Sequence, residues 1–120
     1  MSRWNIAAAQ YAAQHPSVDS HVKHHLRFID EAARQQCQLL VFPELSLTGP
    51  GEADLPTPPD DLQLAPLLHA AQSHNITVIA GLTLVHQGQR QKGLALFTPH
   101  LDTVLRYPQG SGASLLPGDN

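Results

Sequence analysis

The stretch "LLVFPELSLTGPG", Leu39 to Gly51, places one carboxylate, Glu44, directly after four apolar residues and a proline. Such a short apolar run reads as a buried strand, so the acid stands at the carboxyl end of that strand, where α/β proteins gather their ligands. Pro43 fixes its own φ and brings no N–H, which aims Glu44. Phe42, Leu45 and Leu47 are expected to desolvate the carboxylate. Desolvation disfavours its charged form and makes it a better proton acceptor, a general base. The bland alternative is an exposed glutamate at a strand-to-loop junction, because unpaired glutamate is seldom buried.

Other residues with reactive side chains carry weaker patterns. Cys37 is the single cysteine; a buried free thiol usually behaves as a small hydrophobe, so it is not expected to be a nucleophile. His21 and His25 stand one helical turn apart, but "HVKHH" lacks the glutamate of the HExxH zinc signature. Both are expected on the polar face of a helix. His69, His74, His86 and His100 show no ligand spacing, and no metal or cofactor is expected. Gly110, Gly112 and Gly118 lack the following Gly-Lys-Ser/Thr of a phosphate loop, and Ser111 and Ser114 lack a nucleophile-elbow context. Trp4 reads as core or edge packing.

The elements that must position Glu44 follow from periodicity. "RWNIAAAQ", Arg3 to Gln10, reads as a short buried strand. After a break offering Ser17 and Asp19 as caps, Val22, Leu26, Ile29 and Ala33 recur at helical spacing, giving an amphipathic helix of about five turns. "LLVF" is the second strand. Thr48 to Asp61, rich in proline and glycine, is a loop. A second helix starts near Asp60 or Asp61 and turns Leu64, Leu67, Leu68 and Ala71 inward, with Pro66 tolerated in its first turns. "NITVIAGLTLV" is a strand, "QGQRQKG" a turn, "LALFT" a strand, "PHLD" a turn, and "TVLRY" a last strand. The order is β-α-β-α-β-β-β. It predicts a mixed sheet with helices on one face, an α/β or layered α+β fold without an internal linker.

With 120 residues, 42% hydrophobic and 14% charged, the chain suits one folded domain and is too apolar for disorder. A net charge of -3 gives no electrostatic case for nucleic acid or an anionic membrane. No secretory leader or membrane span is apparent, and one cysteine fits a reducing compartment, so a cytoplasmic location is expected.

The combination of "IAAAQ", "AARQQCQLLVFPELSLTG", "ITVIAGL" and "LALFTPHLDTVLRY", in that order, resembles the nitrilase superfamily, the carbon–nitrogen hydrolases. The resemblance covers most of the chain and implies half of an α-β-β-α sandwich, with hydrolysis of a non-peptide amide or nitrile as the activity. It implies a glutamate base, a lysine that stabilises the tetrahedral intermediate, and a cysteine nucleophile. Glu44 matches the base. The lysine, expected two residues after a tyrosine, is replaced in "RYPQG" by Gln109, an uncharged hydrogen-bond donor. The matching cysteine would lie beyond Asn120. Residues 1–120 therefore read as the amino-terminal portion of one hydrolase domain, a fragment inactive alone. The implied partners are a small amide or nitrile substrate and further copies of the chain. The alternative is a catalytically silent domain that acts in binding or assembly, since half a sandwich leaves a sheet face or edge uncovered.

Overall fold

The computed structural model describes residues 5–9, 17–49 and 55–109. Trp4, Arg3 and Gln10 of the first expected strand, and the glycines and serines of 110–120, lie outside the described residues. The elements follow the expected order: β1 (Ile6–Ala8), α1 (Val18–Arg34), β2 (Leu39–Val41), α2 (Asp61–His74), β3 (Thr77–His86), β4 (Gln89–Phe97) and β5 (Leu105–Pro108).

Among the described residues they form a five-stranded mixed sheet in the order β1-β2-β3-β4-β5. The first three strands are parallel, pairing Leu40 with Ala7 on one side and Val78 on the other. Parallel neighbours need a crossover, and α1 and α2 supply it. From β3 onward the chain turns back on itself, so β3-β4-β5 is an antiparallel meander.

Both helices start at built caps. The Ser17 hydroxyl accepts from the Ser20 N–H at 3.1 Å. At α2, Asp60 and Gln63 exchange side-chain-to-backbone hydrogen bonds of 2.7 and 3.1 Å, a reciprocal capping box. Helix α2 ends on Asn75 in the left-handed region, after which Ile76 N–H returns to Ala71 O at 3.0 Å. Pro66 sits inside α2 and removes the amide that would bond Leu62 O. Leu62 is itself exposed, so its carbonyl lies where solvent can substitute.

The pleat divides the sheet into two faces. Leu40, Val78, Ala80, Leu82, Ala95 and Phe97 point to the helix side and form one cluster with Val22 and Ile29 of α1 and Leu64, Leu67 and Ala71 of α2. The opposite face carries Val41, Ile79, Leu94, Leu96, Leu105 and Tyr107, which are only half-buried. The inward positions expected for α2 are those observed.

The expected boundaries of the β3–β4 turn are corrected. "QGQRQKG" is not a turn: the turn is Gln87-Gly88 alone, at φ 54° and 78°, and His86 pairs directly with Gln89. Both residues have the positive φ that two-residue hairpins require. Residues 89–92 are strand, their weak β propensity overridden by pairing with β3.

Leu67 is fully buried between the helices and the sheet. Replacing it with alanine should cost about 2–5 kcal/mol of unfolding free energy, read from urea titration followed by circular dichroism.

Candidate active site

Glu44 opens the turn that follows β2, and this turn is fastened to β3 rather than hanging from the sheet. Phe42 N–H bonds Ile79 O and Leu47 N–H bonds Gly81 O, both at 2.8 Å. Ser46 N–H closes the turn onto Pro43 O at 3.2 Å, and Thr48 and Thr83 hydroxyls meet at 3.3 Å. Gly81 makes this approach possible. A Cβ there would fall on Leu45 N and stand 2.7 Å from Pro43 O and 2.8 Å from Glu44 C. Leu45 takes φ 55°, a left-handed conformation that L residues adopt at a cost of about 1–2 kcal/mol. The strain falls on the residue next to the carboxylate, where over-determined backbone is often found to serve function.

Beneath the turn lies a buried polar chain. His25 Nδ1 lies 2.6 Å from the His21 carbonyl, which makes Nδ1 the donor, so Nε2 accepts from the Ser46 hydroxyl at 2.9 Å. The Ser46 oxygen in turn accepts from Gly81 N–H at 3.3 Å. Three elements, α1, the Glu44 turn and β3, are thereby tied through one serine. The His25 ring stacks on Phe42, with centroids 4.0 Å apart. Burial pushes the His25 imidazolium down to about 4, a backbone hydrogen bond from His21 opposing and the charges of His21 and His24 assisting. His21 and His25 are both fully buried, which corrects their expected place on the polar face. Val22, His25, Ile29 and Ala32 form a stripe at alternating spacings of three and four, so His25 sits on the core side.

The Glu44 carboxylate is half exposed, and Lys92 Nζ of β4 lies 2.8 Å from its Oε1. Phe42, Leu45 and Leu47 are buried as expected, but the Glu44 side chain itself stays half exposed, so these neighbours do not take the acid out of water. Gln109 follows β5, exposed, and its N–H bonds Lys92 O at 2.9 Å. That bond carries the β4–β5 register one residue past the last ladder pair, Gly93 with Pro108, and sets Gln109 opposite Lys92. Cys37 is half-buried at the start of β2, the opposite end from Glu44. Six residues of largely extended chain lie between the two, and at about 3.3 Å per residue they span roughly 20 Å, too far for direct proton transfer. Among the described residues no cluster of three metal-ligating side chains occurs. Two grooves of about 150 and 430 Å³ border α1, and Glu44 lines neither.

Sequence reasoning missed Lys92, His25, Ser46 and Gly81 as parts of this site. The histidine alone had a visible signal, its place in a three-four spaced apolar stripe.

These features find relatives. Residues 5–103 match the carbon-nitrogen hydrolase family, and the chain belongs to that family. The fold matches an amidase from Nesterenkonia sp. with a TM-score of 0.69 at 19% identity, covering 92% of this chain and 44% of the amidase. A variant of that amidase in complex with butyramide matches at the same TM-score and identity over 97% of this chain and 46% of its own. A glutamine-dependent NAD(+) synthetase from Cytophaga hutchinsonii matches with a TM-score of 0.62 at 25% identity, over 82% of this chain and 17% of the synthetase. This chain thus spans less than half the length of these structures. The fold is that of the nitrilase superfamily, to which the Nesterenkonia amidase belongs.

Two outcomes follow from the seat of the turn. In Gly81→Ala the added methyl collides with backbone, so unfolding free energy should fall by about 1–3 kcal/mol. Carbodiimide cross-linking of Glu44 to Lys92, read by mass spectrometry, should fall with it. The second concerns pH. The folded chain keeps His25 neutral down to about pH 4, whereas an unfolded histidine protonates near 6.5. Between those values the unfolded state binds more protons, so the His25 contribution to stability falls as pH drops. Its share of the loss between pH 7 and pH 4.5 should be about 2–3 kcal/mol. Urea titrations at the two pH values, compared with those of His25→Asn, check this.

Proposed function

We propose that this chain supplies the general base, Glu44, of a hydrolase that cleaves small non-peptide amides or nitriles. The observation that carries the reading is the carboxylate fixed at the carboxyl end of β2 by the Gly81-Ser46 seat, in a member of the carbon-nitrogen hydrolase family. The Nesterenkonia amidase has an active-site cysteine, and the analogous thiol here would come from residues following Asn120. The 120 residues then form the amino-terminal portion of the hydrolase domain. Cys37 lies at the wrong end of β2 for the role.

For an amide, Glu44 takes the thiol proton as sulfur attacks the carbonyl carbon. The tetrahedral oxyanion collapses, the C–N bond breaks, and the glutamic acid returns its proton to the departing nitrogen, releasing ammonia. Water then attacks the thioester, losing a proton to Glu44, and the carboxylic acid leaves as the thiol is restored. Gln109 would donate a hydrogen bond to the oxyanion without bringing charge.

The 120-residue chain should release no ammonia from acetamide or butyramide. A chain continued in frame past Asn120 to include a cysteine should do so, and Glu44→Gln should lower its rate at least 100-fold, with Cys37→Ser neutral. Glu44-dependent turnover by the 120 residues alone, or full activity of the longer Glu44→Gln chain, would overturn the assignment.

A second reading, a silent domain that assembles with copies or partners, is favoured by one observation. The sheet face carrying Val41, Ile79, Leu94 and Leu96 is left half-buried by the two helices. Light scattering separates the two: a monomer with little apolar-dye binding argues against assembly through this face.

A further inference from the structure

We propose that Lys92 and Gln109 form an oxyanion subsite beside Glu44, with Lys92 supplying the positive charge from β4. Its ligand class is a carboxylate, or the tetrahedral oxyanion that precedes one. The inference rests on the hydrolase reading for its place in a reaction, but the subsite is defined by this chain's own residues. An ammonium carries three N–H donors. The 2.8 Å contact with Glu44 Oε1 uses one, and with the side chain half exposed the remaining donors are open to a ligand. Gln109 lies opposite Lys92 one step past the last ladder pair, its backbone N–H bonded to Lys92 O at 2.9 Å, and continuing that register assigns its neutral amide to the face of the ammonium. On the other side of Lys92, its β3 partner Thr83 is buried against Thr48, which brings the Glu44 turn over this end of the sheet.

One charge and one neutral donor flanking a carboxylate base suit a reacting carbon whose oxygen becomes negative while a proton leaves toward Glu44. Glu44 also restrains the ammonium when no ligand is present. The arrangement therefore predicts competition: an anionic ligand must share Lys92 with Glu44. A subsite made only of exposed charge would show no such rivalry.

Lys23 and Lys92 are the only lysines of the chain, so labelling lysine Cε with ¹³C gives two signals, with Lys23 as an internal control. Acetate replaces chloride at constant ionic strength and pH 7. The Lys92 signal should shift saturably and at least threefold more than that of Lys23, and the Gln109 amide should move with the same midpoint. In Glu44→Gln the midpoint should fall severalfold, because the competing carboxylate is gone. In Lys92→Met, or Lys92→Gln should the first variant lose its fold, the Gln109 response should vanish. Equal, linear shifts of both lysines would mean simple ion screening and overturn the proposal. So would a Gln109 response that survives loss of the ammonium, or a midpoint unchanged by Glu44→Gln. Ammonia release by the longer chain is a separate readout, so the hydrolase reading and the subsite stand or fall independently.

Discussion

The approach of the Glu44 turn to Gly81 is the constraint on which the rest of the site depends. Backbone meets backbone there with no side chain between, and a Cβ on residue 81 would occupy the space held by Pro43, Glu44 and Leu45. Where β2 ends after three residues, the turn takes its place along β3 and continues the hydrogen bonding at Ile79 and Gly81. The carboxylate is thus held by a sheet that remains continuous in its bonding after the strand itself has stopped. The buried serine and histidine beneath the turn extend the same fastening to α1. A polar chain of this kind favours a single arrangement, because each donor left unmatched in the interior carries a desolvation cost.

The charge arrangement is of a different character. Glu44 and Lys92 are both half exposed, and a pair in contact with water contributes little to stability. Its value is geometric. The lysine comes from a strand two places away from β2 in the sheet, so the contact reports that β2, β3 and β4 are all in register. Arg106 makes a related tie at the far edge, reaching Pro59 O at 2.8 Å and Asp61 at 2.7 Å and thereby holding the start of α2 against β5.

The order of elements was legible in the sequence because apolar periodicity is strong wherever a face is buried. Val22 and Ile29 on α1, and Leu64, Leu67, Leu68 and Ala71 on α2, announce their own burial. The position of Glu44 just past the end of β2 was legible from the apolar run and the proline before it. The histidines were not: His25 occupies a core position in the stripe, but its polarity points a reader toward solvent, and the compensating Ser46 is 21 residues away. Lys92 was hidden for another reason. The β3–β4 hairpin extends into a polar, exposed end where alternation fades, and only the register set by the tight Gln87-Gly88 turn brings its ammonium to Glu44. Contacts between distant segments are properties of pairing, and residue type alone does not encode them.

The switch from parallel to antiparallel pairing at β3 has a consequence for how the chain acquires its shape. The β3–β4 ribbon closes through two residues, whereas joining β2 to β3 means bringing together segments separated by the whole of α2. Short loops cost the least entropy to close, so the meander is the part with local contacts and the parallel side is the part with distant ones. The proposed base therefore belongs to the distant-contact portion and its cationic neighbour to the local one. Their meeting depends on a long-range closure that the ribbon can form without.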